Sequence, residues 1–266
     1  MISWQTKLEG ATQELRQDWS FLEPYGLPTE KVKNRSAVFE RQVIDAGNAV
    51  DTYVKIYANK RHPMQRIFRP GRSRIEARNL LFFKSIGIAV PRILGWGEQR
   101  NAIGRIVQEF IITEAISEAE QLDKFVPKHC PEPDLSEHRT MRMHIIKQLA
   151  QWTRAMHDEG FIHEDLKWRN ILARETDGAP ELFYIDCPIG HFTKPGPEMK
   201  RKQLKDCATL DKLARHECTK EEREAFIRAY LGPDFSEKHA QKLCQEIEDY
   251  RRQRFDPKDD RQRRNS

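Results

Sequence analysis

The run Phe161-Ile162-His163-Glu164-Asp165-Leu166-Lys167-Trp168-Arg169-Asn170-Ile171-Leu172 constrains this chain more than any other segment. It sets His163, Asp165 and Asn170 in a His-x-Asp-x-x-x-x-Asn pattern, with Lys167 between the aspartate and the asparagine. Phosphoryl transfer needs a carboxylate beside the attacking hydroxyl and an oxygen ligand for a metal on the phosphates. One rigid loop that carries Asp165 and Asn170 about five residues apart can supply both. The plain alternative is an Asp-rich turn between a helix and a strand, since short motifs also occur by chance.

Further pieces decide between these readings. Phe183-Tyr184-Ile185-Asp186 is a strand-like apolar run ending in an acid, and Cys187-Pro188 follows it. In kinases the aspartate at this place closes a β-hairpin after the catalytic loop and holds Mg²⁺ across the β- and γ-phosphates. The spacing after Asn170 leaves room for a strand over 171–174, a turn at Thr176-Asp177-Gly178-Ala179-Pro180 and a return strand. Upstream, the hairpin signal Asp45-Ala46-Gly47-Asn48 precedes the β-branched and aromatic run Val50-Asp51-Thr52-Tyr53-Val54-Lys55-Ile56-Tyr57. Lys55 in its Val-Lys-Ile context is like the kinase strand lysine that holds the α/β-phosphates. Glu76 opens a helical pattern with Ile75, Asn79 and Phe82 or Phe83, and lies roughly 21 residues past Lys55, which suits the strand-lysine to helix-glutamate ion pair. Singly, Lys55 reads as an edge residue and Glu76 as a solvated charge. The ordered set Lys55, Glu76, Asp165, Asn170, Asp186 points to a kinase.

No Gly-x-Gly-x-x-Gly precedes Lys55. A turn over Lys31-Val32-Lys33-Asn34-Arg35-Ser36 is the candidate phosphate cap, through backbone amides helped by Lys33 and Arg35. Strands are expected near 37–44, 50–57, 92–97 and 105–112. Thr113 to Ile116 reads as the interlobe hinge, where the backbone of Glu114 and Ile116 meets adenine. Trp4, Leu8, Ala11, Leu15, Trp19 and Leu22 recur with helical spacing, which predicts an amphipathic helix that packs on the small lobe or touches lipid. The prolines between Pro127 and Pro133 predict a loop. Ile145, Leu149, Trp152 and Met156 predict a core helix ahead of the catalytic loop, and further helices are expected near 203–215, 220–231 and 236–254, the last capped by Ser236.

The order of these motifs resembles the lipopolysaccharide core kinases, the heptose and Kdo kinases of Gram-negative bacteria. The resemblance rests on Tyr-Val-Lys-Ile-Tyr at 53–57, on Glu76 with Gly87-Ile88-Ala89-Val90-Pro91, and on Ile111-Ile112-Thr113-Glu114-Ala115-Ile116. His-Glu-Asp-Leu at 163–166, Tyr-Ile-Asp at 184–186 and Lys205-Asp206-Cys207-Ala208-Thr209-Leu210-Asp211 complete it. It implies an α+β, bilobal protein-kinase-like fold, with a small, mostly β N-lobe carrying one key helix and a mainly helical C-lobe. It also implies ATP with Mg²⁺ and a sugar hydroxyl, heptose or Kdo, on lipid A–core as acceptor. In that frame Lys55, braced by Glu76, orients ATP, and Asn170 and Asp186 hold the metal. Asp165 takes the proton of the hydroxyl, Lys167 neutralises the moving phosphoryl group, and His163 braces the loop. The chain divides into a helix and lead-in over 1–30, N-lobe and hinge over 31–116, C-lobe over 117–250 and a basic tail over 251–266.

About 17 residues, Cys187 to Gln203, separate Asp186 from the next expected helix, and no Ala-Pro-Glu closes them. So short a segment favours a sugar or lipid-linked acceptor over a peptide. A Ser/Thr protein kinase, which Lys167 and Asn170 would suit, stays open as an alternative. So does a non-catalytic, stress-response protein on the kinase fold, though every acid the chemistry needs is present.

Composition narrows the setting. The 266 residues include 38% hydrophobic ones, enough to bury a core. The sequence has no apolar stretch of spanning length and no signal-peptide run at its start, so the expected place is the cytoplasm, peripheral on the inner membrane. Five scattered cysteines without Cys-x-x-Cys spacing indicate reduced thiols, neither zinc nor disulfides. The net charge of +5 is concentrated in two places. Residues 59–74 carry Lys60, Arg61, Arg66, Arg69, Arg72 and Arg74 without an acid, and residues 251–266 are basic again. A basic loop beside the phosphates fits an anionic membrane surface or a charged acceptor better than nucleic acid, and Arg66, Arg69, Arg72 and Arg74 are the candidate contacts.

Overall fold

The computed structural model describes residues 4–7, 36–45, 47–57, 69–100 and 102–255. They belong to two compact units. The first comprises residues up to 82 together with 90–117 and 186–189, and the second comprises 83–89, 118–185 and 190 onward.

The first unit is built on a five-stranded antiparallel sheet. Its strands are β1 (Trp4–Lys7), β2 (Ser36–Asp45), β3 (Asn48–Tyr57), β4 (Ile93–Arg100) and β5 (Ile106–Glu114), in the spatial order β1-β4-β5-β3-β2. β2 and β3 form a hairpin in continuous register from Ser36↔Tyr57 to Asp45↔Asn48, and Gly47 supplies a φ of 82° in its tight turn. Alternation along β3 buries Thr52, Val54 and Ile56 on one face. There Val54 and Ile56 pack with Val43, Leu94, Phe110 and Ile112, and Lys55 points to the other face with Tyr53 and Tyr57. Helix α1 (Arg72–Ser85) begins in this unit.

The second unit is mainly helical. Its helices are α2 (Leu122–His129), α3 (Ser136–Asp158), α4 (Pro197–Glu217), α5 (Lys220–Leu231) and α6 (Glu237–Arg254). The short strands β6 (Ala119–Gln121), β8 (Ile171–Arg174) and β9 (Glu181–Tyr184) form one small sheet, and β7 (Phe161–Ile162) pairs with β10 (His191–Phe192). Along α3, Ile145, Ile146, Leu149, Ala150, Thr153 and Met156 make a single buried stripe. Arg142 Nε meets Glu222 Oε1 at 2.6 Å, both side chains buried, and Arg142 Nη1 donates to Cys130 O at 3.0 Å, which ties α3 to α5. Thr219 and Glu222 form a reciprocal capping box on α5, and the Ser236 hydroxyl caps α6 as expected. All five cysteines are free, and burial pushes the Cys218 thiol up to about 12, so it stays protonated.

The α+β class, with a small sheet-bearing part and a mainly helical part, is as expected. Several local expectations are corrected. Trp4–Lys7 is strand, not helix: it pairs antiparallel with β4 from Trp4↔Gln99 to Lys7↔Trp96, and ladder bonds on an open sheet edge outweigh a helical side-chain spacing. Leu8, Ala11, Leu15, Trp19, Leu22, the turn at 31–35, Arg66 and the tail beyond Phe255 lie outside the described residues. Pro127 sits inside α2, not in a loop, because Leu122, Phe125 and Val126 bury one helical stripe while the proline stays exposed. α4 starts at Pro197, ahead of the expected 203, since proline is pre-organised for the first helical turn. The segment after Asp186 therefore runs only from Cys187 to Gly196. Thr113 and Glu114 extend β5, and only Ala115 and Ile116 of the expected hinge are free of regular structure.

Candidate active site

Within the first unit, Lys55 is the centre of a cluster of charges drawn from three places in the chain. Its Nζ lies 3.2 Å from Glu76 Oε1 and 2.6 Å from Asp186 Oδ1. β3 supplies the lysine, α1 the glutamate, and the turn beyond β9 the aspartate. The Tyr57 hydroxyl donates a hydrogen bond to Glu76 Oε2, and the Lys55 ammonium lies 5.0 Å from the Tyr57 ring centroid. Burial works against the lysine charge, yet Glu76 and Asp186 outweigh it and hold the Lys55 pKa above its usual value. Burial pushes the Glu76 carboxyl up, with Lys55 opposing. Burial and the Glu76 charge push the Tyr57 phenol well up.

The start of α1 is fixed by two glutamates that face each other across β4 and β5. Gly71 N–H donates to Glu98 Oε1 at 2.5 Å and Ser73 N–H to Glu109 Oε2 at 3.2 Å, and both carboxylates are 1% exposed. Carboxylates at a helix N-terminus satisfy orphan amides and complement the helix dipole. A Cβ on Gly71 would meet the Glu109 and Glu98 carboxylates, so a larger residue there would displace both side chains. These contacts set where Glu76, one turn further on, can reach. Asn79, also on α1, donates through Nδ2 to Cys187 O at 2.8 Å and so pins the residue after Asp186.

Within the second unit the loop from His163 to Asn170 is held from below. Asp206, fully buried on α4, accepts the His163 N–H at 2.8 Å on Oδ2 and the Glu164 N–H at 2.9 Å on Oδ1. The His163 ring stacks on Phe83 at 5.8 Å and meets Tyr184 edge-on at 6.1 Å. Asn170 Nδ2 donates to Asp165 O at 2.8 Å, and Lys167 Nζ lies 2.5 Å from Asp165 Oδ1. Ile185 N–H donates to Asn170 O at 3.0 Å, so the residue before Asp186 is tied to the loop's last residue. Glu164 and Asp186 have φ values of 69° and 58°, a left-handed conformation that side chains other than glycine rarely adopt and that clusters at functional sites.

The candidate residues therefore fall into two groups. Lys55, Glu76 and Asp186 come together in the first unit; Asp165, Lys167 and Asn170 come together in the second. Glu114 is engaged at both ends: its N–H donates to Arg92 O at 2.8 Å and its carboxylate meets Arg92 Nε at 2.5 Å, while Arg92 Nη1 also reaches Asp45 at 2.7 Å. Ala115 N–H donates to Asp51 O at 2.8 Å. Arg69 is exposed. Arg72 and Arg74 belong to α1, not to a loop, and their guanidinium groups lie over Tyr57 at 6.0 Å and Trp96 at 5.8 Å. Among the described residues no group of three His, Cys, Asp or Glu side chains could hold a metal by itself, and no helix is long and apolar enough to cross a membrane. A Mg²⁺ site made of one or two side-chain oxygens and substrate phosphates needs no such group.

Sequence reasoning missed Tyr57, Glu98, Glu109 and the part played by Asp206. Asp206 had a signal, since it stands in the Lys-Asp-Cys-Ala-Thr-Leu-Asp run, but the run gave no partner for it. The model of the lipopolysaccharide kinase (Kdo/WaaP) family matches residues 27–230. The chain is also similar to a solved structure of WaaP in complex with acyl carrier protein, with a TM-score of 0.68 and 18% identity, over 95% of this chain and 100% of that one. At that identity the likeness bears on the fold alone. No curated protein sequence matches the chain.

Proposed function

Since this chain belongs to the lipopolysaccharide kinase (Kdo/WaaP) family and is a phosphotransferase acting on a sugar hydroxyl of the lipopolysaccharide core, we propose that its residues divide the work as follows. Lys55, aligned by Glu76, meets the ATP phosphates. Asp186 and Asn170 supply oxygen ligands for Mg²⁺; with Asn170 Nδ2 donating to Asp165 O, the amide oxygen is the atom left for a cation. Mg²⁺, when bound, neutralises charge on the β- and γ-phosphates. Asp165 accepts the proton of the incoming hydroxyl, and its carboxylate is oriented by Lys167 on one oxygen and Asn170 on the other, the latter at 3.3 Å. Lys167 also offsets charge on the transferring group. The purine edge meets the Glu114 carbonyl and the Ile116 N–H, because the Glu114 and Ala115 N–H groups are engaged elsewhere.

The observation that carries this reading is Lys55 within ion-pair reach of both Glu76 and Asp186, the latter 131 residues away in sequence. Heptose or Kdo on lipid A–core is the acceptor, presented at the cytoplasmic face of the inner membrane, where Arg66, Arg69, Arg72 and Arg74 contribute positive charge. The short segment Cys187–Gly196 supports a sugar over a peptide acceptor. The test compares purified protein with Mg²⁺-ATP on lipid A–core and on a casein-like polypeptide, with ³¹P NMR of the core from cells with and without the protein. Labelling of the core sugar is expected; preferential labelling of polypeptide would overturn the acceptor assignment.

A partner carrying an acyl chain is a further part of the reading. A cavity of about 250 Å³ lies within the second unit, lined by Ile146, Leu149, Trp168, Phe226, Ile227 and Ile247 among others. An acyl group delivered by acyl carrier protein suits so apolar a space. Native mass spectrometry with acylated and unacylated carrier should show a complex with the acylated form alone; equal binding of both would remove the cavity from the interaction.

A further inference from the structure

The residue between the histidine and the aspartate of the catalytic loop has a role that the family reaction does not itself assign. In protein kinases this position is arginine, and such enzymes order their activation segments by pairing arginine with a phosphorylated residue. Here it is Glu164, of opposite charge, held at a φ of 69° with a side chain only 15% exposed. Its Oε2 lies 2.5 Å from Lys205 Nζ, and its Oε1 lies 3.5 Å from Lys202 Nζ and 3.8 Å from His191 Nε2. Both lysines come from α4, the helix whose Asp206 accepts the Glu164 N–H. Lys202 is itself braced by His191 Nε2 at 2.8 Å and Glu198 at 3.1 Å.

Glu164 is thus gripped twice by one helix, through its backbone and through its carboxylate. Left-handed backbone in a residue other than glycine is unfavourable and persists only where neighbours over-determine it. Burial acts to push the Glu164 carboxyl up, but the Lys205, Lys202 and His191 side chains outweigh it and hold it low, so the carboxylate stays charged. The next residue along the chain is Asp165. A rotation at Glu164 would swing the Asp165 carboxylate directly.

We propose that Glu164 is a positioning residue: its ion cluster with Lys202 and Lys205 locks the left-handed turn that presents Asp165, so that the loop is assembled without phosphorylation or an effector. This rests on the assignment of Asp165 as the base. In place of a phosphate that must be added, α4 supplies a permanent counter-charge.

The experiment measures kcat, KM for ATP and thermal melting of the full chain, with Mg²⁺-ATP and lipid A–core. The variants are Glu164→Gln, Lys202→Met/Lys205→Met and the exchange Glu164→Lys/Lys205→Glu, with Asp165→Ala as reference. Misplacement of a reacting group by about 1 Å costs on the order of 10²-fold, so kcat of E164Q should fall by about 10–100-fold while KM for ATP is unchanged. The charge exchange should recover at least about tenfold of that loss, again in kcat with KM for ATP unchanged, a split that a general loss of folded protein would not produce. Hydrogen exchange of the amides over 163–170 should rise in E164Q and fall again in the exchanged protein. Wild-type kcat in E164Q, or an exchange variant no better than E164Q, would overturn the proposal. If E164Q fails to fold, the double lysine variant decides in its place: undiminished kcat there is equally fatal. Activity surviving Asp165→Ala would instead sink the assignment of the base, so the two failures are distinguishable.

Discussion

The charge cluster at Lys55 and the loop at Asp165 are built by opposite means. The first gathers a lysine, a glutamate and an aspartate from distant parts of the chain and relies on Coulomb attraction, with Lys55 and Glu76 largely shielded from water, to keep them together. The second is local: its side chains lie within eight positions of one another, and its shape is set by backbone amides docked on one buried carboxylate, Asp206. Where charges must come together from far apart, chemistry dictates the pattern and folding delivers the distance. Where the chain itself keeps residues close, what must be supplied is orientation. The first group should therefore respond to charge removal and pH, the second to loss of its anchor.

The largest effect is expected at Asp165, the proposed base. Asp165→Ala should lower turnover by about 10²–10⁴-fold, with ATP binding retained by the Lys55 cluster; a titration of nucleotide against both proteins checks the separation. Asp206→Ala comes next. It strands two backbone N–H groups, that of His163 buried and that of Glu164 half-buried, at up to about 1–3 kcal/mol each, so the urea midpoint should fall sharply and kcat with it. If stability dropped while kcat held, the anchor would be irrelevant to the loop's geometry, and the contrast would fail.

Glu76→Gln probes the other region. Lys55 keeps Asp186 but loses one charge-assisted partner, which is worth about 1.5–3 kcal/mol, so kcat/KM for ATP should fall by roughly 10–100-fold. Stability should change little, because losing the Lys55 ion pair is offset by removing a carboxylate whose charge burial disfavours. A melting temperature that fell along with activity would show that the pair serves the fold first.

A pH test sharpens the same point. The Lys55 pKa is raised above 10.5, so the stability it contributes is fully present below pH 10.5 and is lost as the pH rises through the raised value. Tyr57, also raised, loses stability in the same direction above pH 10. Lys55→Met should flatten part of the alkaline fall in melting temperature and leave the remainder that belongs to Tyr57. The smallest effect belongs to a position that is part of neither cluster: Thr219→Ala breaks the α5 capping box and should cost about 1 kcal/mol, read in urea melts, without changing kcat.

The motifs were legible because phosphoryl transfer restricts both residue type and spacing. Lys55, Glu76, Asp165, Asn170 and Asp186 could be named in order, and two of the structural pairings, Lys55–Glu76 and Asn170–Asp165, follow that order. The β2–β3 hairpin was legible from Asp45-Ala46-Gly47-Asn48, since a tight turn of this hand favours glycine at positive φ. Expectations failed where a tertiary partner overrode a local signal. Trp4–Lys7 gave a helical spacing but found an open strand edge. Pro127 looked like a breaker but sits on the exposed side of a helix whose other side is buried.

By itself, the sequence determined which residues are candidates for the reaction, because phosphoryl transfer calls for an acid, a metal ligand and a phosphate-binding lysine at restricted separations. The tertiary structure alone decided what holds them. That Glu98 and Glu109 cap α1, that Tyr57 bonds Glu76, and that α4 grips Glu164 and Asp206 grips the loop are facts about partners far apart in the chain. No periodicity records such pairings, because a buried carboxylate and its amide partners become neighbours only when the helices and strands that carry them pack.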